Sequence, residues 1–205
     1  MHLAREDALA PPVRTVRRAE DLAAIADDAI DAVIWGRPAP AFVRAALNES
    51  PGVDLADARF QTPPGDARRC VADVFDAWGW PAPRAAGWAA DDVGVLARQF
   101  AQILSLSQVR LRVEIVRDDA CRKFHRDAVT ARLICTYGAP GTVYGVGCDD
   151  GDPAAVYAVP AYCPILLKGK RWPAEPQRTL VHRSPRIEGT GATRLVVVLD
   201  EAPAE

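Results

Sequence analysis

The sequence predicts an α+β protein, with helices packed outside a sandwich or barrel of short strands. Three observations carry this. Apolar residues recur at helical spacing through the first hundred positions and switch to alternation near Gln108. Turn signals rich in Pro and Gly then separate several short apolar runs. The composition, 49% hydrophobic and 25% charged over 205 residues, is that of a globular domain or of one core with a helical extension.

Taken in order, Arg17 to Ile34 places Leu22, Ile25, Ala26, Ala29, Ile30 and Val33 on one helical face, and Trp35-Gly-Arg-Pro ends it. Pro40 to Leu47 reads as a short second helix. Asp66 to Trp78 is a third, with Cys70, Val71, Val74, Phe75 and Trp78 inward, and Ala89 to Leu106 is a fourth. From Val109 the apolar residues Val109, Leu111, Val113 and Ile115 alternate with Arg110, Arg112, Glu114 and Val116, which is a strand with one polar face. Further strands are expected at 122–127, 130–137, 142–146, 164–168, 178–183 and 193–200, with Lys168 at a turn. The expected division is a helical region over 1–106 that packs on a strand core over 107–205, the two forming one structural unit.

Composition excludes several classes. The net charge of −2 is not that of a polycation built for nucleic acid, and no aromatic–basic interleaving favours such a partner. The strand half, residues 105–199, carries 14 basic and 9 acidic groups, so anionic ligands are favoured there. No run approaches a membrane span, and Met1-His-Leu-Ala-Arg-Glu-Asp has no apolar stretch, so no signal peptide is expected. The five cysteines contain no C-x-x-C pair, which argues against a disulfide framework or a cysteine zinc site and fits a reducing cytoplasm.

The chemistry concentrates on two of the three histidines; His2 lies at a terminus. In Cys121-Arg-Lys-Phe-His125-Arg-Asp127, residues i and i+2 of a strand face one side, so His125 and Asp127 can share one metal ion. His182 follows 57 residues later in Leu180-Val-His-Arg-Ser-Pro. Two histidines and one carboxylate form the facial triad that suits non-haem Fe(II) and leaves positions open. Arg194 lies 12 residues after His182; if their strands pair as a hairpin it faces the same interior, where its fork matches a carboxylate. Cys121 would share the face of His125, either as an alternative ligand or as a small core residue.

The order H-x-D, distant His, then Arg about a dozen residues on resembles the Fe(II)/2-oxoglutarate-dependent dioxygenases. Arg132-Leu-Ile-Cys-Thr-Tyr137, Gly138-Ala-Pro-Gly-Thr142, Ile165-Leu-Leu-Lys-Gly169 and Thr193-Arg-Leu-Val-Val-Val-Leu199 resemble the strands and turns of their prolyl-hydroxylase-like branch. The phrases C-R-K-F-H-x-D, A-R-L-I-x-T-Y, P-G-T and H-R-S-P resemble an uncharacterised bacterial domain family. The resemblance implies a double-stranded β-helix (jelly-roll, cupin-like) core holding Fe(II) through His125, Asp127 and His182. It also implies 2-oxoglutarate, with Arg194 on its far carboxylate, and O₂ as co-substrate. Ser184 shares the side of His182 and is a candidate 2-oxoglutarate contact. Arg132 and Tyr137 are candidates for cofactor or substrate contact, or are strand residues with a structural role. The substrate would be a small molecule or a peptide, and no oligomeric state is implied.

Two other classes use the same residues. A non-catalytic cupin-like protein would bind or sense a metal such as zinc without 2-oxoglutarate. An interaction module would hold an anionic partner on its basic face, with binding that survives chelation and weakens with salt.

Overall fold

The computed structural model describes residues 12–47, 57–138, 140–146, 153–173 and 180–203. His2, Cys148, Ala139 of the glycine turn and the turn around Asp149 lie outside the described residues.

β1 (Val13–Val16) leads through a 3-10 turn (Glu20–Ala26) to β2 (Ala32–Trp35), and α1 (Ala41–Leu47) follows. β3 (Ala58–Thr62), α2 (Ala67–Ala77), α3 (Pro83–Leu104) and β4 (Val109–Val116) come next. The second half adds β5 (Ala131–Tyr137), β6 (Val143–Val146), β7 (Ala155–Ala158), β8 (Ile165–Lys168), β9 (Leu180–Arg183) and β10 (Arg194–Glu201). The fold is mixed α+β with two sheets: a seven-stranded one in the order β1-β2-β8-β5-β10-β4-β3, and a three-stranded one in the order β7-β6-β9. No described helix is long and apolar enough to cross a membrane.

The large sheet has two chemically different faces, set by the period of two along β4, β5 and β10. Leu111, Val113, Leu133, Cys135, Leu195, Val197 and Leu199 are buried on one face with Val93, Leu96 and Phe100 of α3. Burial of this kind is worth about 25 cal/mol per Å² of apolar surface. The other face carries Arg110, Arg112 and Glu114 of β4, Arg132, Ile134 and Thr136 of β5, and Arg194, Val196, Val198 and Asp200 of β10. That polar face looks toward the small sheet, and residues of both sheets line one cavity between them.

The expected helices at 40–47, 66–78 and 89–106 appear as α1, α2 and α3, the last starting six residues earlier behind Pro83 at its first turn. The expected helix over 17–34 does not form. Its first part is the 3-10 turn, and Ala32-Val-Ile-Trp is a strand between β1 and β8. The three residues Ala32, Val33 and Ile34 are all buried. A short apolar run buried on both faces has no period that separates strand from helix, so long-range pairing decides. β1, β3 and β7 also lie where no strand is expected.

Three corrections bear on the site. The expected strand at 122–127 reduces to one bridge, in which His125 and His182 exchange backbone hydrogen bonds of 3.0 and 2.9 Å. β9 and β10 do not pair as a hairpin, because β9 joins β6 in the small sheet while β10 lies between β4 and β5. Lys168 is the buried last residue of β8 rather than a turn residue, and its Nζ donates to the Asp27 carbonyl at 2.8 Å.

Candidate metal centre

The centre begins with a backbone pairing. Residues exchanging both hydrogen bonds in an antiparallel bridge project to the same side, which brings the His125 and His182 rings to 4.6 Å between centroids. Asp127 closes the triangle. Its Oδ1 lies 3.5 Å from His125 Nε2 and its Oδ2 3.1 Å from His182 Nε2. One ligand atom from each of the three residues lies within 4.8 Å of the others, the one such group among the described residues.

The donor chemistry fits a divalent cation. His125 Nδ1 lies 2.9 Å from the Lys123 carbonyl, which can only accept, so Nδ1 carries the proton and Nε2 presents its lone pair. Asp127 Oδ1 accepts from Arg132 Nη1 at 2.5 Å, whereas Oδ2 is buried with His182 Nε2 3.1 Å away but not in hydrogen-bonding geometry. A buried carboxylate oxygen without a partner is costly, and a metal ion between the two imidazoles would satisfy it. Burial pushes the His182 imidazole toward its neutral, ligating form. The Asp127 contact raises the proton affinity of His125. Burial opposes the charge on Asp127, but the two imidazoles and Arg132 outweigh it and hold the carboxyl well below the usual carboxylate range.

Asp200 anchors this set from behind. Its side chain is 1% exposed, and it accepts from Arg132 Nε at 2.7 Å and Nη2 at 2.8 Å, and from Arg110 Nη2 at 3.1 Å. These contacts follow from register, since Asp200 sits opposite Arg110 on β4 and Arg132 on β5. The Arg132 fork therefore bridges two carboxylates and fixes the one that faces the imidazoles.

The cavity beside the triad has a volume of about 110 Å³. Arg194, Ser184, Arg132, His125 and His182 all line it, with Arg112, Glu114 and Thr142. Arg194 is 2% exposed, and its Nε donates to the Pro140 carbonyl at 2.8 Å and its Nη2 to Thr136 Oγ1 at 3.2 Å. It has no carboxylate partner among the described residues, and burial pushes its pKa down to about 10. Such a guanidinium is stabilised by any anion that enters.

Tyr137 is the candidate that the structure separates from the rest. It points to the helix side of the sheet, donates to Asp92 Oδ2 at 2.6 Å and packs edge-on against Trp88. Its place in the strand explains this, because Thr136 and Arg132 occupy the cavity face and an odd offset from Arg132 inverts the side. Cys121 lines the cavity mouth, exposed, and is not one of the grouped ligands. The sequence reading did not single out Arg112, Glu114, Thr142 or Asp200 as site residues. The available signal was the polar face of the 109–116 strand, which is the cavity wall.

The family described as "Protein of unknown function (DUF1826)" matches residues 17–200. No curated protein matches the chain. Among solved structures, the chain is similar to dioxygenase for auxin oxidation 1 from Arabidopsis thaliana, in a binary complex with 2-oxoglutarate. The identity is 10%, the coverage 95% of this chain and 93% of that one, and the TM-score 0.48. It is also similar to a prolyl-4-hydroxylase from Pseudomonas putida, at 15% identity, 91% coverage of this chain and 100% of that one, and a TM-score of 0.44. The rice dioxygenase for auxin oxidation gives 14% identity, 94% and 86% coverage and a TM-score of 0.46. At TM-scores below 0.5 these likenesses are too distant to carry a functional argument.

Proposed function

The chain belongs to the DUF1826 family, and we propose that it is an Fe(II)- and 2-oxoglutarate-dependent oxygenase with a jelly-roll core. One observation carries the reading. The ligand atoms of His125, Asp127 and His182 lie together, and the cavity that His125 and His182 line also holds Arg194, a buried guanidinium with no carboxylate partner among the described residues. A zinc protein without a co-substrate gives no role to that arginine.

His125, Asp127 and His182 would hold the iron. Bound there, Fe(II) supplies the redox chemistry that couples oxidative decarboxylation of 2-oxoglutarate to oxygen insertion into a substrate C–H bond. The remaining roles belong to the chain. Arg194 neutralises the far carboxylate of 2-oxoglutarate, and Thr136 and the Pro140 carbonyl keep its guanidinium aimed. Arg132 occupies Asp127 Oδ1 so that Oδ2 is the oxygen offered to the metal. Ile134, Val196 and Val198 line the same cavity and keep its floor apolar, which limits water beside the ligands.

Succinate release from 2-oxoglutarate, with Fe(II) and air, tests this. Slow release is expected from the native protein and none from Asp127→Ala. Arg194→Met should retain iron and need on the order of 100-fold more 2-oxoglutarate, the usual cost of removing one partner of a buried charge pair. Tight zinc binding with no succinate from any preparation would favour the non-catalytic metal-binding alternative.

A further inference from the structure

The cavity holds a second guanidinium whose donors are not used up. Arg112 lies on β4 directly across from Val198, on the cavity face of the large sheet. Its Nη1 donates to Glu114 Oε1 at 3.2 Å. The same oxygen also accepts from Arg59 Nη2 at 3.1 Å, so a single carboxylate oxygen serves two guanidinium groups. Arg112 Nε is buried and has no hydrogen-bond partner, and Nη2 makes no hydrogen bond to the described residues. Nε and Nη2 form one edge of the guanidinium fork, spaced to meet both oxygens of a carboxylate.

The surrounding charge agrees. The cavity-lining residues include Arg112, Arg132, Arg183 and Arg194 but one carboxylate, Glu114. Arg132 is held by Asp127 and Asp200. Arg183 lies over the Phe124 ring and donates to the Ser184 carbonyl. Arg194 is taken by 2-oxoglutarate in the reading above, on which this inference rests. Arg112 is left with a shared Glu114 and an open edge, and beside it Val198 and Ile134 continue the same row as an apolar surface.

We propose that Arg112 reads a carboxylate on the substrate, which makes the substrate a small organic acid whose hydrocarbon part lies over Val198 and Ile134. The acid enters the same cavity as 2-oxoglutarate and is recognised by a different arginine. A neutral analogue of the same shape leaves the Nε–Nη2 edge unmet and binds poorly.

The test uses the full chain with Mn(II) as a paramagnetic probe and saturating 2-oxoglutarate, without turnover. Proton relaxation is measured for a panel of aliphatic and aromatic monocarboxylates and for their primary amides. Members of the acid panel should relax faster in the presence of the loaded protein, and their amides should not. In Arg112→Met the enhancement should fall by at least about tenfold, while Mn(II) and 2-oxoglutarate still bind. Arg112→Lys, which keeps the charge and loses the fork, should fall between the two. Equal relaxation of acids and amides, no relaxed acid in the native protein, or native behaviour in Arg112→Met would each overturn the inference. Loss of 2-oxoglutarate in Arg112→Met and not in Arg194→Met would also overturn it, by assigning the co-substrate to Arg112. Failure of Mn(II) to bind at all overturns the metal centre itself, and is read separately by titrating the metal before any acid is added.

Discussion

The two oxygens of Asp127 are treated differently, which would suit a metal ion. Arg132 engages Oδ1, and Oδ2 is left facing the imidazoles. That asymmetry depends on Asp200, which receives two hydrogen bonds from the Arg132 guanidinium and is itself shielded from water. Asp200→Asn removes the charge that holds Arg132 without touching a ligand. It should lower metal affinity about 10- to 100-fold, the range for residues that orient metal ligands, as measured by isothermal titration. Unchanged affinity would show that Arg132 needs no anchor. The grouping of His125, Asp127 and His182 was legible in the sequence because H-x-D and a distant histidine stand out among three histidines. Arg112 and Asp200 were not. Among many arginines and aspartates, only strand register shows which ones are buried together.

At the scale of elements, the segment that carries His125 and Asp127 is not a strand, so its position must come from neighbours. The chain after β8 clamps it. Gly169 and Arg171 donate backbone hydrogen bonds to Thr130 and Val129, and Lys170 donates to the Asp127 carbonyl at 2.9 Å. From β10, the Glu201 carboxylate accepts from the Thr130 amide at 2.8 Å. Gly169 is required by close approach, since a Cβ there would lie 1.9 Å from the Val129 carbonyl oxygen and 3.1 Å from that of Asp127. Gly169→Ala should therefore displace the ligand segment, cost about 1–3 kcal/mol of stability and weaken the metal, although no ligand is altered. Urea unfolding and metal titration of the same variant measure both. Full metal affinity in this variant would mean that the clamp does not position Asp127. The strands expected at 109–116, 130–137 and 193–200 all formed; alternation marks the first, and the other two are apolar runs bounded by turn signals. β1 and β7, four residues each, are too short to show a period, and β3, Ala-Arg-Phe-Gln-Thr, alternates over only five residues. β1 and β3 pair with strands that lie beyond an intervening element, β2 and β4, whereas β7 pairs with its sequence neighbour β6.

Across the whole molecule, the large sheet separates a structural side from a chemical side. On the structural side Arg37 spans from the loop after β2 to α3, pairing with Asp92 and donating Nε to the Tyr162 carbonyl at 2.9 Å. Tyr137 donates to the same Asp92 from the sheet. Asp92→Ala would leave a buried arginine and a buried phenol unmatched. It should destabilise the fold by about 3–5 kcal/mol, seen as an earlier urea midpoint, while the residues at the cavity stay unaltered. A change below 1 kcal/mol, on the order of a surface substitution, would mean that the network does not tie α3 to the sheet. The two-faced sheet was partly legible, because the polar side of the 109–116 strand implied a second environment. The sequence could not say that residues 13–62 also supply strands to that sheet, since helical spacing and a short buried strand look alike over a few residues.

The central claim is that one cavity binds both a divalent iron and 2-oxoglutarate, through the triad and Arg194. Anaerobic addition of Fe(II) and then 2-oxoglutarate to metal-free protein, followed by its visible absorption, tests it most directly. A weak charge-transfer band that requires both additions is the expected result, absent in His182→Ala and shifted to much higher 2-oxoglutarate in Arg194→Met. No band from the native protein under saturating additions would contradict the claim.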